Sequence, residues 1–522
     1  MCTSPGGRAP LASMRACSSS AACREALMAS EFIVLSHREP YQEIETEDGP
    51  RLQRKTNGVF TTLDAVMRSR HGTWIAWKEI DPEHPFQTWI EVPSPRHPDR
   101  YNVHRIGLDA DEARRFYYEF TSSAIWPVLF SLLDRARFTL DSWETYIRVN
   151  QEFADVVCEE AAPNAIVWVN DFHLMLTPEL IRRRRPDLTL ALFLHTTFPP
   201  PDVFAVIPWR KELLRGLLNL DLIGFHIPSY AVNFADTVSR FMGATPSAIA
   251  ETELMAEGPA VAVPTYPRVI EFEGRRVALG AYPVGVDVPY FAEVAQRPDT
   301  RDQAAEIRAR TGAETIILSA ERLDYVKGAI ERLECFERFL ERHPEQHSRT
   351  SFVQIAVPTR TGMEEFQTMR RRAEEAVGRI NGRFGTMEWQ PVMHFYGSFA
   401  REQLVAFYAT ADVLWVTPLR DGLNLVVKEY IASRLGSEGV VILSEFAGAA
   451  AELREVVLTN PYSPDDMDRA LEKALGMNEG ERNARMLALR DRVINFDVHK
   501  WSQRFLGDVE RVGSATGTIL TP

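Results

Sequence analysis

The fold of this chain is indicated by residues 413–429, which read VLWVTPLRDGLNLVVKE. The apolar run Val413–Val416 is typical of a buried strand, the turn after it contains Asp421 and Gly422, and a helical pattern that includes Glu429 follows. A turn from a strand into a helix points backbone N–H groups outward, where they bind phosphate. The stretch therefore predicts an α/β domain with two carboxylates beside a row of amides, which suits a sugar nucleotide. On this stretch alone, an ordinary strand–loop–helix corner is an equal alternative.

A second stretch, residues 315–328, has the same design and reads TIILSAERLDYVKG. Its apolar run is followed by Arg322 and Lys327, two cations on one turn. Arginine offers a planar fork for phosphate oxygens, and lysine offers a compact charge. Because ligands of open α/β sheets bind outside the carboxyl ends of the strands, we expect both turns to lie at one such edge.

Composition limits the classes of function. The chain has 522 residues, which predicts two or more domains, and no apolar run reaches the ~18 residues that span a bilayer. Its net charge of −13 argues against a nucleic acid or an anionic membrane as partner. The five cysteines have neither zinc-ligand spacing nor an even count, so we predict no metal site, no disulfide framework and a cytoplasmic location.

Eight short apolar runs predict strands buried on both faces of parallel sheets. They are Phe32–Leu35, Ala165–Val169, Leu188–Phe193, Leu220–Phe225, Thr315–Ser319, Ser351–Ala356, Val413–Val416 and Val440–Leu443. Between the two groups of four, residues 269–279 predict a hairpin and residues 282–287 a hinge. The Ser-, Ala- and Gly-rich segment 1–30 lacks the apolar core of a secretory signal and is predicted to be disordered.

Further motifs make the pattern specific. They are SHREP (36–40), WVNDFH (168–173), FLH (193–195), RINGRFG (379–385) and FAGAA (446–450). With the two stretches above, they resemble the retaining glycosyltransferases related to trehalose-6-phosphate synthase, from Phe32 to about Leu506. Within that family the chain most resembles the glucosylglycerol-phosphate synthases, on HREPY (37–41), WIAWK (74–78), IPWR (207–210) and GFHIP (224–228).

The resemblance implies two doubly wound, Rossmann-like domains facing a cleft, the GT-B type of glycosyltransferase. The implied boundaries are an acceptor-binding domain at 31–283, a nucleotide-sugar-binding domain at 284–485, a helix crossing back to the first domain at 486–510 and a tail at 511–522.

The resemblance also implies a donor site. Its catalytic residues are Asp171, His195, Arg322, Lys327 and Asp421. Its donor-binding residues are Asn57, Gly58, Gly422, Leu423, Asn424, Leu425, Val426 and Glu429. In this assignment the two cations neutralise the departing diphosphate, Asp421 and the amides after it hold the glucose and the diphosphate, and Glu429 binds the ribose. His195 contacts the glucose 6-hydroxyl and Asp171 faces the reaction centre, while Asn57 and Gly58 form a loop over the diphosphate.

The implied acceptor residues are Arg38, Trp74, Tyr117, Trp126 and Arg360. The two arginines would clamp an acceptor phosphate from opposite domains, and the aromatic rings would wall the pocket. Ordinary structural roles stay open: core packing for the aromatic residues and His195, and helix capping for Asp171. His37 stands where the trehalose enzymes often carry Asn, whereas the sequence around Arg360 looks more like theirs, so both acceptors remain alternatives.

The expected reaction joins ADP-glucose and glycerol 3-phosphate into glucosylglycerol phosphate, a precursor of a compatible solute, without metal or cofactor. A separate phosphatase would complete the pathway, and a homo-oligomer remains open. Rival functions are a trehalose-6-phosphate synthase using UDP-glucose and glucose 6-phosphate, and a non-catalytic sugar-phosphate sensor. A dehydrogenase is disfavoured because no G-x-G-x-x-G follows a strand.

Overall fold

A computed structural model of the chain describes residues 29–44, 51–54, 63–92 without 65, 69 and 71, 101–250, 266–436 and 438–516. The predicted disordered segment, apart from Ala29 and Ser30, and the predicted loop residues Asn57 and Gly58 lie outside these ranges.

The first domain is built on a ten-stranded sheet in the order β10-β11-β12-β9-β8-β7-β1-β4-β6-β5. These strands are β1 (Ser30–Leu35), β4 (Thr73–Glu79), β5 (Trp89–Val92), β6 (Tyr101–Leu108), β7 (Ala161–Asn170), β8 (Thr189–Phe193), β9 (Leu222–Phe225), β10 (Thr245–Ala250), β11 (Tyr266–Phe272) and β12 (Arg275–Ala281). The strands from β12 to β6 run parallel, and antiparallel strands complete both edges. A separate hairpin pairs β2 (Tyr41–Ile44) with β3 (Arg51–Arg54).

The second domain contains a six-stranded parallel sheet in the order β15-β14-β13-β16-β17-β18. Its strands are β13 (Thr315–Arg322), β14 (Thr350–Val357), β15 (Val392–Tyr396), β16 (Val413–Val416), β17 (Val440–Ser444) and β18 (Val457–Thr459). The chain order reverses between β13 and β16, as it does between β1 and β7 in the first domain. Each reversal is the switch point at which a doubly wound sheet binds ligands, so the predicted α/β fold class with two doubly wound domains is confirmed.

Helices cover both sheets. In the first domain they are Ala110–Ala113, Trp126–Leu129, Leu140–Glu160, Thr177–Arg182, Pro201–Phe204, Arg210–Leu217 and Pro228–Met242, with a π-helix at Arg114–Ile125. The remaining helices are Val288–Gln296, Pro298–Thr311, Ala329–Arg342, Glu364–Phe384, Arg401–Thr410, Leu425–Ser433, Pro464–Gly476, Glu479–Asn495 and Val498–Thr516. Side chains of Asp287, Ser463 and Asn478 accept backbone N–H groups at three helix starts and so replace missing intrahelical partners.

All eight predicted strands are present, with ends shifted by up to four residues, as for β7. The predicted hairpin is also present, as β11 and β12, with a turn at Glu273 and Gly274 in which both residues have positive φ. Strand β6 was not among the predictions because polar residues interrupt its apolar pattern. Strand β4 was also missed, although its apolar run at residues 74–77 is uninterrupted and could have indicated it.

The connection between the domains differs from the prediction. The segment 486–510 spans two helices, Glu479–Asn495 and Val498–Thr516. The first packs on the second domain, and the second crosses to β8 and β9 of the first domain. The sequence around Phe496, where the two helices meet, contains no glycine or proline. The helical pattern therefore continues through this point, and the sequence does not predict the break. The backbone N–H of Val498 donates to the carbonyl of Val286 at 3.3 Å. This bond joins the two places where the chain passes between the domains.

Within the described ranges, no helix combines the length and apolarity needed to cross a bilayer. Among the same residues, no group of three or more histidine, cysteine, aspartate or glutamate side chains is arranged to hold a metal ion. Cys158 and Cys335 are free thiols.

Candidate active site

The two cations of the second domain lie at its switch point. Arg322 ends β13 and Lys327 follows it, while Asp421 lies on the loop after the adjacent strand β16. Lys327 Nζ lies 2.6 Å from Asp421 Oδ2, and both side chains are 12% exposed. The predicted meeting of the two turns at one sheet edge therefore exists, with a direct ion pair between them.

Asn424 locks this pair to the start of a helix. Its Nδ2 donates to Asp421 Oδ2 at 2.9 Å, and its Oδ1 accepts the N–H of Val427 at 3.2 Å. Asn424 is the N-cap of the helix Leu425–Ser433 and has φ = 82°. The first amides of a helix lack intrahelical partners and favour an anion. The carboxylate, the ammonium and the start of this helix thus form one unit.

Close backbone packing fixes the loop. The N–H of Gly448 donates to Asp421 O at 3.1 Å, and that of Ala449 donates to Leu423 O at 2.9 Å. Gly328, with φ = 69°, lies so near the other turn that a Cβ would stand 2.3 Å from Thr417 O. Glycine is required there for both conformation and space.

Arg322 reaches from this edge towards the first domain. Its side chain is 40% exposed, and its guanidinium lies 5.5 Å from the ring centroid of Trp126. Asp324 Oδ2 lies 3.8 Å from Arg322 Nη2 and accepts Arg360 Nη1 at 3.0 Å. A buried aspartate therefore orients two arginines that face the cleft.

The first domain contributes partly buried groups at its own switch point. Asp171 follows β7, and its carboxylate accepts the backbone N–H of His195 at 3.2 Å. Burial raises the pKa of Asp171 to about 7, although backbone donors and Arg322 oppose the rise. Asp171 has φ = 67° without being glycine, and it makes no side-chain capping bond to the helical turn that follows. Strained backbone of this kind concentrates at functional sites, which favours a site role over the capping alternative.

His195 is an uncharged imidazole. Burial lowers its pKa to about 3, and neither ring nitrogen has a hydrogen-bond partner among the described residues. The ring lies 4.7 Å from that of Phe193 and 5.6 Å from that of His226, centroid to centroid. An unpaired buried polar group is costly, so this side chain is suited to a ligand hydroxyl rather than to plain core packing.

The two edges touch each other. A Cβ on Gly422 would stand 2.3 Å from His195 O, so the second domain's loop packs directly on the first domain's backbone. The hydroxyl of Tyr230 donates to Asp421 O at 3.1 Å across the same boundary. The structure therefore brings together Asp171, His195, Lys327 and Asp421, as predicted for one site.

Glu429 lies further along the helix that starts at Leu425. Tyr408 donates its hydroxyl to Glu429 Oε2 at 2.9 Å, and burial raises the pKa of this carboxyl. The neighbouring Lys428 is buried, donates to Val284 O at 2.7 Å and pairs with Glu452 at 2.5 Å. Lys428 thereby ties the helix Leu425–Ser433 to the segment 282–287 that connects the two domains.

The predicted acceptor arginines approach from opposite domains. The Arg38 guanidinium lies 4.7 Å from the Tyr117 ring centroid and 5.6 Å from that of Trp77. Arg360, in the second domain, lies 4.5 Å from the Trp126 ring centroid and donates to Ser122 Oγ at 3.1 Å. Trp126 is 7% exposed and faces both Arg322 and Arg360, so it combines core packing with a cleft-facing surface.

Trp74 requires a correction. Its side chain is fully buried, on the sheet face opposite that of Trp77, and its indole N–H donates to Arg38 O at 3.3 Å. It therefore supports the backbone of Arg38 and does not wall a pocket. Trp77 is the tryptophan that faces the Arg38 guanidinium.

Sequence reasoning missed several residues of this site. Asp324 lies within the stretch 315–328, between the two cations, and this spacing could have indicated its role. Trp77, Ser122 and Tyr230 carried no such signal, because distant segments bring them to the cleft.

Comparisons with known proteins agree with this geometry. The sequence pattern of Glycosyltransferase family 20 matches residues 30–511. The chain is 37% identical over 486 residues to the glucosylglycerol-phosphate synthase of Synechocystis sp., which covers 92% of this chain and 97% of that protein. It is 38% identical over 482 residues to the trehalose-6-phosphate synthase of Mycolicibacterium gilvum, covering 91% and 93%. The crystal structure of alpha,alpha-trehalose 6-phosphate synthase from Burkholderia multivorans superposes with a TM-score of 0.83 at 32% identity, covering 95% and 99%.

Proposed function

Since this chain belongs to glycosyltransferase family 20, we propose that it transfers glucose from ADP-glucose to glycerol 3-phosphate with retention of configuration. The products are ADP and glucosylglycerol phosphate. The observation that carries the proposal is the unit formed by Lys327, Asp421, Arg322 and the helix that starts at Leu425.

This unit is suited to a departing nucleotide diphosphate. Negative charge grows on the diphosphate as the bond from glucose C1 breaks, and cations that are already in place stabilise that charge without reorganising. Lys327 and Arg322 supply two such charges, and the helix start supplies amides. They do the work that a divalent cation does in other transferases, so we propose a reaction without metal.

The opposite edge is suited to the sugar. Neutral His195 and Asp171, with its pKa of about 7, offer hydrogen-bonding groups away from water. Hydroxyl groups of a hexose satisfy such groups, and the close approach of Gly422 to His195 O brings the second domain's loop against this edge.

The acceptor phosphate is assigned to Arg38 and Arg360, which approach from the two domains. Arg38 Nε has no hydrogen-bond partner among the described residues, as expected of a group that binds an anion. The acceptor hydroxyl then attacks glucose C1 on the face from which the diphosphate leaves. The proton of that hydroxyl passes to the departing phosphate oxygen, so no protein nucleophile is needed.

Glucose 6-phosphate is the second candidate acceptor. A trehalose-6-phosphate synthase matches this chain as well as a glucosylglycerol-phosphate synthase does, at 38% against 37% identity. Both acceptors are phosphate monoesters with a free hydroxyl, so the two arginines serve either of them.

The test crosses ADP-glucose and UDP-glucose with glycerol 3-phosphate and glucose 6-phosphate, in buffer containing EDTA. Mass spectrometry of the products should find glucosylglycerol phosphate as the main product, with ADP-glucose as the better donor. Trehalose 6-phosphate as the main product would establish the second candidate. Binding without turnover in all four mixtures would favour a sensor, and a product without phosphate would contradict the need for a separate phosphatase.

A further inference from the structure

A stack of three aromatic rings lies in the first domain beside Arg38. The rings of His37 and His173 are 3.9 Å apart, centroid to centroid, and nearly parallel at 11°. Tyr117 is parallel to His37 at 5.8 Å and 5°. We refer to these three residues as the ring stack.

The ring stack lies close to both arginines. Burial lowers the pKa of His173, and the nearby positive charges of Arg360 and Arg38 lower it further. The Arg38 guanidinium also lies over the Tyr117 ring at 4.7 Å. A phosphate held by the two arginines would therefore lie near these rings.

His37 covers the inner ring. His173 is 4% exposed, whereas His37 is partly exposed, so the His37 imidazole presents the outer surface of the stack. The His37 ring, and not that of His173, is therefore the surface that a molecule bound beside Arg38 meets.

The backbone around His37 resists such movement. The N–H of Ser36 donates to Ile75 O at 3.1 Å, and the Trp74 indole donates to Arg38 O at 3.3 Å. Glu39 forms a buried ion pair with Arg105 at 2.6 Å. Contacts on both sides of His37 thus fix its backbone, and the stacking fixes its ring. A substrate too large for a fixed wall must displace it, and the cost of that displacement lowers its kcat/KM.

We propose that His37 is a specificity-determining residue: its ring, stacked on His173, limits the acceptor to a three-carbon phosphate and disfavours a hexose phosphate. This inference rests on the proposed function, because it assumes the acceptor phosphate between Arg38 and Arg360. The property it predicts is the ratio of kcat/KM for glycerol 3-phosphate to that for glucose 6-phosphate.

The experiment measures this ratio with ADP-glucose for wild type, His37→Ala, His37→Asn and His37→Phe. The Ala and Asn variants remove the ring and should lower the ratio by about 10- to 200-fold, the range typical of small changes in the volume of a pocket. The gain should appear as faster use of glucose 6-phosphate. His37→Phe keeps a stacked ring and should keep the preference for glycerol 3-phosphate, and the exposed His84→Ala is a matched control with an unchanged ratio.

The outcomes separate the two proposals. A partly unfolded variant loses both activities equally and leaves the ratio unchanged, so folding defects do not imitate the effect. A wild type that prefers glycerol 3-phosphate, with the same ratio within threefold in both ring-deleting variants, overturns the role of His37 alone. A wild type that prefers glucose 6-phosphate overturns the proposed function and this inference with it.

Discussion

The two sheet edges that form the cleft differ in the charge of their side chains. On the second domain, Lys327 and Asp421 are a charged pair at 2.6 Å, braced by Asn424. On the first domain, burial leaves His195 uncharged and brings the pKa of Asp171 to about 7. Fixed charge is concentrated where the diphosphate departs, whereas the first-domain edge offers a neutral imidazole and a carboxyl that is only half-ionised at pH 7.

Both edges store backbone strain in non-glycine residues. Asp171 has φ = 67° on one side of the cleft, and Asn424 has φ = 82° on the other. Each position is held by hydrogen bonds, from His195 to Asp171 and from Asn424 to Asp421. Such conformations cost on the order of 1–3 kcal/mol each, and at both edges they aim a polar side chain at the cleft.

The largest effect is expected on the charged edge. Lys327→Met should lower kcat by about 10²- to 10³-fold, the loss typical when one preorganised group that stabilises transition-state charge is removed. The variant also leaves the Asp421 carboxylate without its cation. Steady-state rates at saturating donor and acceptor measure the effect.

A matched control for this variant is Arg349→Ala, which removes an exposed cation of the same domain that pairs with Glu314. This control should retain wild-type kcat. A Lys327→Met protein that is folded and within threefold of wild-type kcat would show that the leaving group does not depend on this charge.

The second largest effect is expected where the two sheet edges meet, at Gly422 and His195. Gly422→Ala places a methyl group where 2.3 Å separates it from His195 O, so the loop must shift. A displacement of about 1 Å near a reacting centre costs about 10²-fold in rate. We expect kcat/KM to fall by that order.

Gly378→Ala is the appropriate control, because a Cβ at that helical position meets nothing within 4 Å. It should leave the rate unchanged. If Gly422→Ala retains the kcat/KM of this control, the contact between the domains is not part of the catalytic arrangement.

The smallest effect is expected at Asp171, on the first-domain edge of the cleft. The pKa of Asp171 rises on folding from 3.8 to about 7, so between these pH values the folded protein binds more protons than the unfolded chain. Its free energy of unfolding therefore falls as pH rises through this window. Asp171→Asn does not titrate, so the variant should become more stable relative to wild type from pH 4 to pH 7 and keep that advantage above pH 7.

Thermal unfolding of both proteins at pH 4.5, 6 and 8 measures this difference. In steady-state assays at pH 8, the kcat of Asp171→Asn should be about tenfold below that of wild type. The wild-type carboxyl is charged at this pH, whereas the amide that replaces it is neutral and makes a weaker hydrogen bond. A stability difference that is constant across the three pH values would show that Asp171 titrates normally in the folded protein.

The amino-acid sequence alone determined the strands buried on both faces and the polar turns that follow them. Continuous apolar runs such as Ile316–Leu318 are characteristic of central parallel strands. The chain direction of such strands places the turns after β13 and β16 at one edge, which is why Arg322, Lys327 and Asp421 could be assigned together. The resemblance to a glycosyltransferase family supplied roles for these residues.

Tertiary structure alone decided which side chains reach the cleft. Trp74 and Trp77 lie on opposite faces of β4, and both faces are buried, so periodicity does not tell which tryptophan meets Arg38. Arg360, at φ = 45° after β14, contacts Ser122, 238 residues away in the chain. The close approach of Gly422 to the backbone carbonyl of His195 likewise depends on packing between the domains. Local sequence sets the conformation of each segment, whereas contacts over hundreds of residues set how two domains share one site.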